Sequence, residues 1–278
     1  MRGGEFLVKE INATDIFVPE EFDEEQLMIA QTCEDFVETG VAPHFDALDE
    51  HEKGLMASLL KNAGEMGLLG IAVPEEFGGF GQNFLTNMKA NESMGSAYSF
   101  SVAFMAHTGI GTLPLLYYGN QQQKEHYLPL LATGEWLAAY CLTEPGAGSD
   151  ANAGKTKAVL SEDGQHFILN GQKMWITNSG FADLLTVFAK IDNDRVLSAF
   201  LVESSSEGIT MNPEENKMGI KGSSTRQIFF DDVKVPVENQ LGKRGEGYRI
   251  ALNILHIGRI KLGATVIGGM RRSINNSV

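Results

Sequence analysis

Only two cysteines, Cys33 and Cys141, occur in 278 residues. That excludes a disulfide framework. Both read as small buried hydrophobes of a reducing compartment, Cys33 on an amphipathic helix and Cys141 in a buried strand. Nothing beside Cys141 in sequence would lower its pKa, so it is not read as a nucleophile. Basic residues are also scarce, 22 against 36 acidic ones, for a net charge of −14. This excludes the basic footprint of a nucleic-acid binder and fits a solvated acidic surface. No apolar run approaches the ~20 residues that span a bilayer, so no integral membrane segment is expected. Met1 to Phe6 lacks the parts of a secretory signal, and the stretch from Glu5 to Glu25 is too acidic for an organelle transit peptide. No His/Cys/Asp set has metal spacing, so no metal is expected. No G-x-S-x-G elbow is present. No G-x-G-x-x-G follows a strand and opens a helix, which excludes a dinucleotide-binding βαβ unit.

What is present changes period twice. Residues 1–136 read as a helical domain. Asp23 caps a helix over Glu24–Glu38 that carries Leu27, Ala30 and Cys33 at helical spacing, and Leu55 to Met66 gives a second, closed by Gly67. Ala97–Tyr118 is apolar nearly all round, which predicts a buried helix broken near Pro114. Gln121–Leu131 predicts a shorter one, and Pro74–Gly81 a loop. Residues 137–239 alternate instead. Asp163-Gly164 and Asp192-Asn193-Asp194 mark hairpins among several short strands, the spacing of a small barrel or sandwich. From 240 to 278 the helical period returns through Tyr248, Ala251, Leu252, Leu255, Leu262 and Val266. This helix meets neither a C-cap signal nor partner helices before Val278, so it is expected to be the first helix of a truncated bundle.

Two segments carry chemistry. The apolar run ending in Tyr140-Cys141-Leu142-Thr143 opens into Glu144-Pro145-Gly146-Ala147-Gly148-Ser149-Asp150. Such a turn offers hydroxyls and unobstructed backbone N–H groups at a strand mouth. About 25 residues on, Lys173-Met174-Trp175-Ile176-Thr177-Asn178 ends a second strand with a large aromatic and a hydroxyl. Together they suit a planar, phosphate-bearing ligand such as a flavin, with the turn for polar contacts and the Trp as an apolar wall.

These two segments resemble the flavin-contacting signatures of the acyl-CoA dehydrogenases. The resemblance recurs in order over Gly67–Gly79, Gly119–Leu131, Lys217-Met218-Gly219-Ile220-Lys221-Gly222-Ser223 and Phe229–Pro236. Cys141–Pro145 and Asn253-Ile254-Leu255 resemble the long-chain and very-long-chain branch. The resemblance implies an N-terminal all-α domain, a middle β-barrel or sandwich domain and the start of a C-terminal helical bundle. It also implies FAD as cofactor and oxidation of an acyl-CoA to the trans-2-enoyl-CoA. An electron-transferring flavoprotein would be the acceptor, O₂ in an oxidase variant. A homodimer or homotetramer is expected, in the bacterial cytoplasm or, for a eukaryote, the mitochondrial matrix. A cofactor-free scaffold that kept the fold is the rival from another class.

By the same resemblance, Thr143 would offer its hydroxyl and backbone near flavin N5, where a donor stabilises the charge arriving with hydride. Tyr140 and Leu142 would flank the ring, and Gly148 and Ser149 would meet the pyrophosphate side, Ser149 also the acyl-CoA. Trp175, Ile176 and Thr177 would pack on the face opposite the substrate, although a Trp can equally fill a core. Glu144 is read as ordering its own turn rather than as a base. Arg259 interrupts an apolar stripe, either snorkelling or placed near substrate. His256 matches an acyl-CoA-contacting position that is often Asp in relatives, and an ordinary helical His is the alternative. Gly258 stands where a minority of the family has its catalytic Glu, so the base is expected beyond Val278. The basic residues Lys243, Arg244, Arg249, Arg259, Lys261, Arg271 and Arg272 would either attract CoA phosphates or form a solvated helix face.

Overall fold

The computed structural model describes residues 8–12, 14 and 16–278; the segment Met1 to Phe6 lies outside them. The first helix, α1 (Glu24–Phe36), begins where the Asp23 carboxylate accepts the Gln26 N–H and the Gln26 side chain accepts the Asp23 N–H. This reciprocal cap satisfies two otherwise orphaned donors. Its buried face is Gln26, Ala30, Cys33 and Phe36, while Leu27, expected in that stripe, is exposed. Helices α2 (Phe45–Asp49), α3 (Leu55–Glu65) and α4 (Phe84–Met94) follow. The apolar run to Tyr118 is interrupted earlier than its proline suggested. Helix α5 (Ser99–Ala106) passes through a π-helical turn, His107–Gly111, into α6 (Leu113–Tyr118). The Thr112 N–H reaches back to the His107 carbonyl at 3.0 Å. Pro114 sits in the first turn of α6, where a missing N–H costs nothing. Helix α7 (Gln121–Thr133) leads into the strands.

The strands are β1 (Ala138–Cys141), β2 (Lys157–Leu160), β3 (His166–Thr177), β4 (Leu184–Ile191), β5 (Ser198–Glu203), β6 (Ile209–Met211), β7 (Thr225–Pro236) and β8 (Gln240–Leu241). They form one continuous sheet in the order β6-β7-β3-β2-β4-β5-β8, with β1 added in parallel to β4. The path is open. Among the described residues β6 and β8 do not pair, so the barrel form of the sequence expectation is wrong. Closure needs an extra edge-to-edge ladder that the strand pattern cannot reveal. Alternation assigns the two sides of β1, β4 and β5. Ala138, Tyr140, Leu184, Phe188, Ala199 and Leu201 face the helices, and Ala139, Cys141, Leu185, Val187, Phe200 and Val202 face the layer of β3 and β7.

The last helix, α8 (Gly247–Asn275), runs back along α4 and α5. Gly95 and Gly268 let the two backbones meet directly: a Cβ on Gly95 would overlap the Thr265 carbonyl, and one on Gly268 the Glu92 carbonyl. Arg271 and Arg272 pin its end to Glu92 and Glu38 at 2.8 and 2.6 Å. Contrary to the sequence expectation, Ser99–Tyr118 and Gly247–Asn275 are long and apolar enough, by length and composition, to cross a membrane. The first of these is mostly buried inside the protein as a core helix.

Candidate cofactor site

The turn after β1 closes on itself. The Glu144 N–H donates to the Ala147 carbonyl and the Ala147 N–H to the Glu144 carbonyl, at 3.1 and 3.0 Å. Thr143 is half-buried, and Gly146, Gly148 and Ser149 are exposed. A Cβ on Gly146 or Gly148 would meet no atom within 4 Å, so among the described residues the space beside these two glycines is open.

Strand β3 is a single long strand, where the sequence pattern suggests two. It carries a bulge, in which Met174 and Trp175 together stand opposite Gln227 of β7. The bulge puts Trp175 at φ +56, a left-handed conformation that costs a β-region aromatic of order 1–3 kcal/mol. The indole is thrown outward and is 61% exposed, so it fills no core. Its neighbour Met174 donates its N–H to the Thr143 carbonyl at 2.8 Å, which sets the bulge beside the turn. Past the strand, fully buried Asn178 donates its side-chain amide to the Ala103 carbonyl of α5 at 2.9 Å. An outward-facing Trp held in a strained backbone beside an open glycine turn fits one face of a planar cofactor, with Thr143, Thr177 and Ser149 as the hydroxyls within the two segments.

The other expected contact residues are buried or stand on α8. Tyr140 turns inward, with its ring edge-on to Phe188 and its hydroxyl donating to the Ala251 carbonyl of α8 at 3.2 Å. Burial pushes this phenol up. Leu142 is buried with the helix-side cluster and Ile176 in the opposite one, so the side chains of Tyr140, Leu142 and Ile176 serve the cores. His256 and Arg259 are exposed on α8, away from the core, and make no hydrogen bond or ion pair among the described residues. Gly258 is half-buried against Ile110. The Cys141 thiol is pushed up to about 12 by burial, which outweighs the nearby Lys173 charge.

Sequence reasoning missed two buried cations. Lys173 is 1% exposed and donates to the Glu144 carboxylate at 2.7 Å and to the Leu142 carbonyl at 3.1 Å. Glu144 also accepts the N–H groups of Lys155 and Thr156. Burial opposes both charges. It brings Lys173 below its ordinary value despite Glu144, whereas for Glu144 the Lys173 charge and the N–H donors outweigh burial and hold the carboxyl below its usual range. Those two directions pull apart. The donor set decides: a carboxylate ringed by N–H groups is ionised, and the pair is an ion pair. The second cation is Lys261, which the sequence places in the basic tail. It is 1% exposed and donates to Thr108 Oγ1 at 3.1 Å, so it belongs neither to a solvated face nor to a CoA-attracting surface. Arg244, Arg249, Arg271 and Arg272 are each tied to carboxylates of this chain.

A cavity of about 820 Å³ opens between α5 and α8, lined in its apolar part by Val102, Met105, Leu262, Val266 and Met270. No residue of the glycine turn lines it, and Asp49, Ser99, Ser101 and Ser273 add polar groups to its wall.

Residues 23–135 match the acyl-CoA dehydrogenase N-terminal domain and residues 139–233 the acyl-CoA dehydrogenase middle domain. This chain belongs to the acyl-CoA dehydrogenase family. It is 50% identical over 276 residues to a probable acyl-CoA dehydrogenase of Bacillus subtilis (strain 168), covering 99% of this chain and 46% of that protein. It is 44% identical over 223 residues to the human mitochondrial very long-chain specific acyl-CoA dehydrogenase, covering 77% and 34%. The crystal structure of an acyl-CoA dehydrogenase complexed with FAD from Bacillus anthracis superposes with a TM-score of 0.94 at 52% identity, covering 96% of this chain and 46% of that one. The chain thus spans about half the length of the bacterial relatives it matches here.

Proposed function

We propose that this chain supplies the FAD-binding and acyl-CoA-binding part of an enzyme that oxidises an acyl-CoA thioester to the trans-2-enoyl-CoA. The observation that carries this reading is Trp175, held outward at φ +56 beside Thr143 and the open turn at Gly146–Ser149. A folded protein has no internal need for an exposed Trp in a strained bulge. When bound, FAD supplies the two-electron acceptor for the β-hydride while a carboxylate takes the α-proton.

The chain's own residues position and shield. Thr143 and Thr177 offer hydroxyls to the cofactor rim, Trp175 excludes water from one face, and Gly148 and Ser149 leave room for a phosphate-bearing group. The apolar cavity between α5 and α8 fits the acyl tail, with Arg259 and His256 on the outer face of α8 for the polar end. The base is proposed to lie outside these 278 residues, since Gly258 bears no carboxyl and Glu144 is committed to Lys173. An electron-transferring flavoprotein is the proposed acceptor. The exposed Ile260 and Ile267 of α8, which do not line that cavity, support a homo-oligomer, and two buried free thiols fit the cytoplasm.

The test is titration of the 278-residue chain with FAD, followed by anaerobic addition of an acyl-CoA. Binding without bleaching is expected. Bleaching would place the base within these residues, reoxidation by air would favour an oxidase, and no binding at high FAD would overturn the flavin reading.

A further inference from the structure

The two segments that carry the cofactor residues come from different strands, and β1 and β3 do not pair with each other in the sheet. They are joined at one place. The Met174 N–H reaches the Thr143 carbonyl, and directly beneath it Lys173 Nζ binds both the Leu142 carbonyl and the Glu144 carboxylate. The carboxylate in turn holds the backbone N–H groups of Lys155 and Thr156, which fixes where the chain goes after the turn. Lys173 is also the last residue of β3 in register with β7 before the bulge that turns Trp175 out. One buried ammonium thus touches the residues on both sides of Thr143 and anchors the strand one step before the strained pair Met174–Trp175.

We propose that Lys173 is a positioning residue for the cofactor: with Glu144 it clamps the β1 turn to the β3 bulge, so that Thr143 and Trp175 are presented to the flavin at a fixed separation before it binds. This rests on the flavin reading given under the proposed function. Its physical content is preorganisation. A site assembled from two unpaired strand ends would otherwise pay for ordering at each binding event. A buried ion pair does this more rigidly than apolar filling of the same volume, because its hydrogen bonds fix direction as well as distance.

Removing one charge alone leaves the other buried and unpaired, which can unfold the chain for trivial reasons. The test is therefore the charge-neutral double variant Lys173→Met with Glu144→Gln, compared with the parent 278-residue chain. Three readouts are taken: the cooperative thermal melt, amide hydrogen exchange of the apo chain in peptides spanning 142–148 and 173–177, and FAD affinity with the shape of the bound flavin's visible band. The expected result is a retained cooperative melt, faster exchange confined to those two peptides, FAD binding weakened about 10- to 100-fold, and a blurred flavin band. Exchange and FAD affinity both within twofold of the parent would overturn the inference while leaving the flavin reading standing. A parent that binds no FAD would overturn the flavin reading, and exchange alone would then decide the clamp: faster in the variant supports it, unchanged sinks it. Should the double variant not fold, the charge-keeping Glu144→Asp decides by the same exchange and FAD readouts, since it leaves neither charge unpaired and shortens the reach from the turn to Lys173 and to the Lys155 and Thr156 N–H groups.

Discussion

The Lys261 ammonium of α8 donates to the Thr108 hydroxyl across the helix interface, and that bond is the ammonium's one hydrogen bond among the described residues. Next to it His107 is fully buried. Its Nε2 lies 3.0 Å from the Leu131 carbonyl and its Nδ1 accepts the Ala138 N–H at 3.1 Å, so the ring is neutral with the proton on Nε2. Two groups that are cationic only when protonated thus meet at the π turn that joins α5 to α6, His107 within it and Lys261 of α8 against it.

Burial pulls Lys261 from its ordinary 10.5 to about 7. Below about 7 both folded and unfolded chains hold the proton, and the folded state carries the full cost of burying it. Between about 7 and 10.5 the unfolded chain binds more protons, so stability rises with pH. From pH 7 to 8.5 this contributes roughly 2 kcal/mol. Urea midpoints of the parent should rise over that interval, and Lys261→Met should flatten the rise.

His107 governs the acid side. Burial, assisted by the Lys261 charge and opposed by the Leu131 carbonyl, lowers it from 6.5 to about 4. Between those values the unfolded chain takes up the proton first, so stability falls as pH drops from 6.5 to 4, by roughly 3 kcal/mol. His107→Gln can keep both hydrogen bonds and should remove most of that acid sensitivity in a pH series of thermal melts.

Trp175→Gly separates cofactor from fold. Glycine accepts φ +56 without strain, and the indole it removes is mostly exposed. The apo chain should keep its stability or gain up to about 1 kcal/mol, while FAD binding weakens. A large loss of apo stability would show that the indole carries packing instead.

Gly268→Ala should be costly although it adds one methyl. That methyl would overlap the Glu92 carbonyl and force α8 off α4. A loss of about 2–3 kcal/mol in urea unfolding is expected. The neighbouring Gly263→Ala, whose Cβ meets nothing within 4 Å, should be neutral or mildly stabilising.

Most helices and hairpins were legible because each is written in local spacing: Asp23 three residues before Gln26, Asp163-Gly164 between two alternating runs. The flavin-type segments were legible as composition. What sequence could not show is where tertiary packing overrides period. Lys261 reads as one of seven tail cations, and only the approach of α4 and the π turn encloses it. Tyr140, Leu142 and Ile176 stand among cofactor-type residues, and only the packing of the helices on one side and of β3 and β7 on the other buries their side chains. The outward aim of Trp175 depends on a bulge set by the register against β7, and open versus closed edges depend on pairings that no single strand encodes.

The touching backbones at Gly95 and Gly268 also act as a length gauge. Two helices that meet through side chains can slip by repacking rotamers, but a carbonyl lodged against a bare glycine backbone allows α8 one axial position along α4. The heights of Leu262, Val266 and Met270 on the cavity wall are therefore set by the main chain. Any change in the space this wall encloses must come from swapping the lining side chains, Met105 and Met270 among them, and not from sliding the helix.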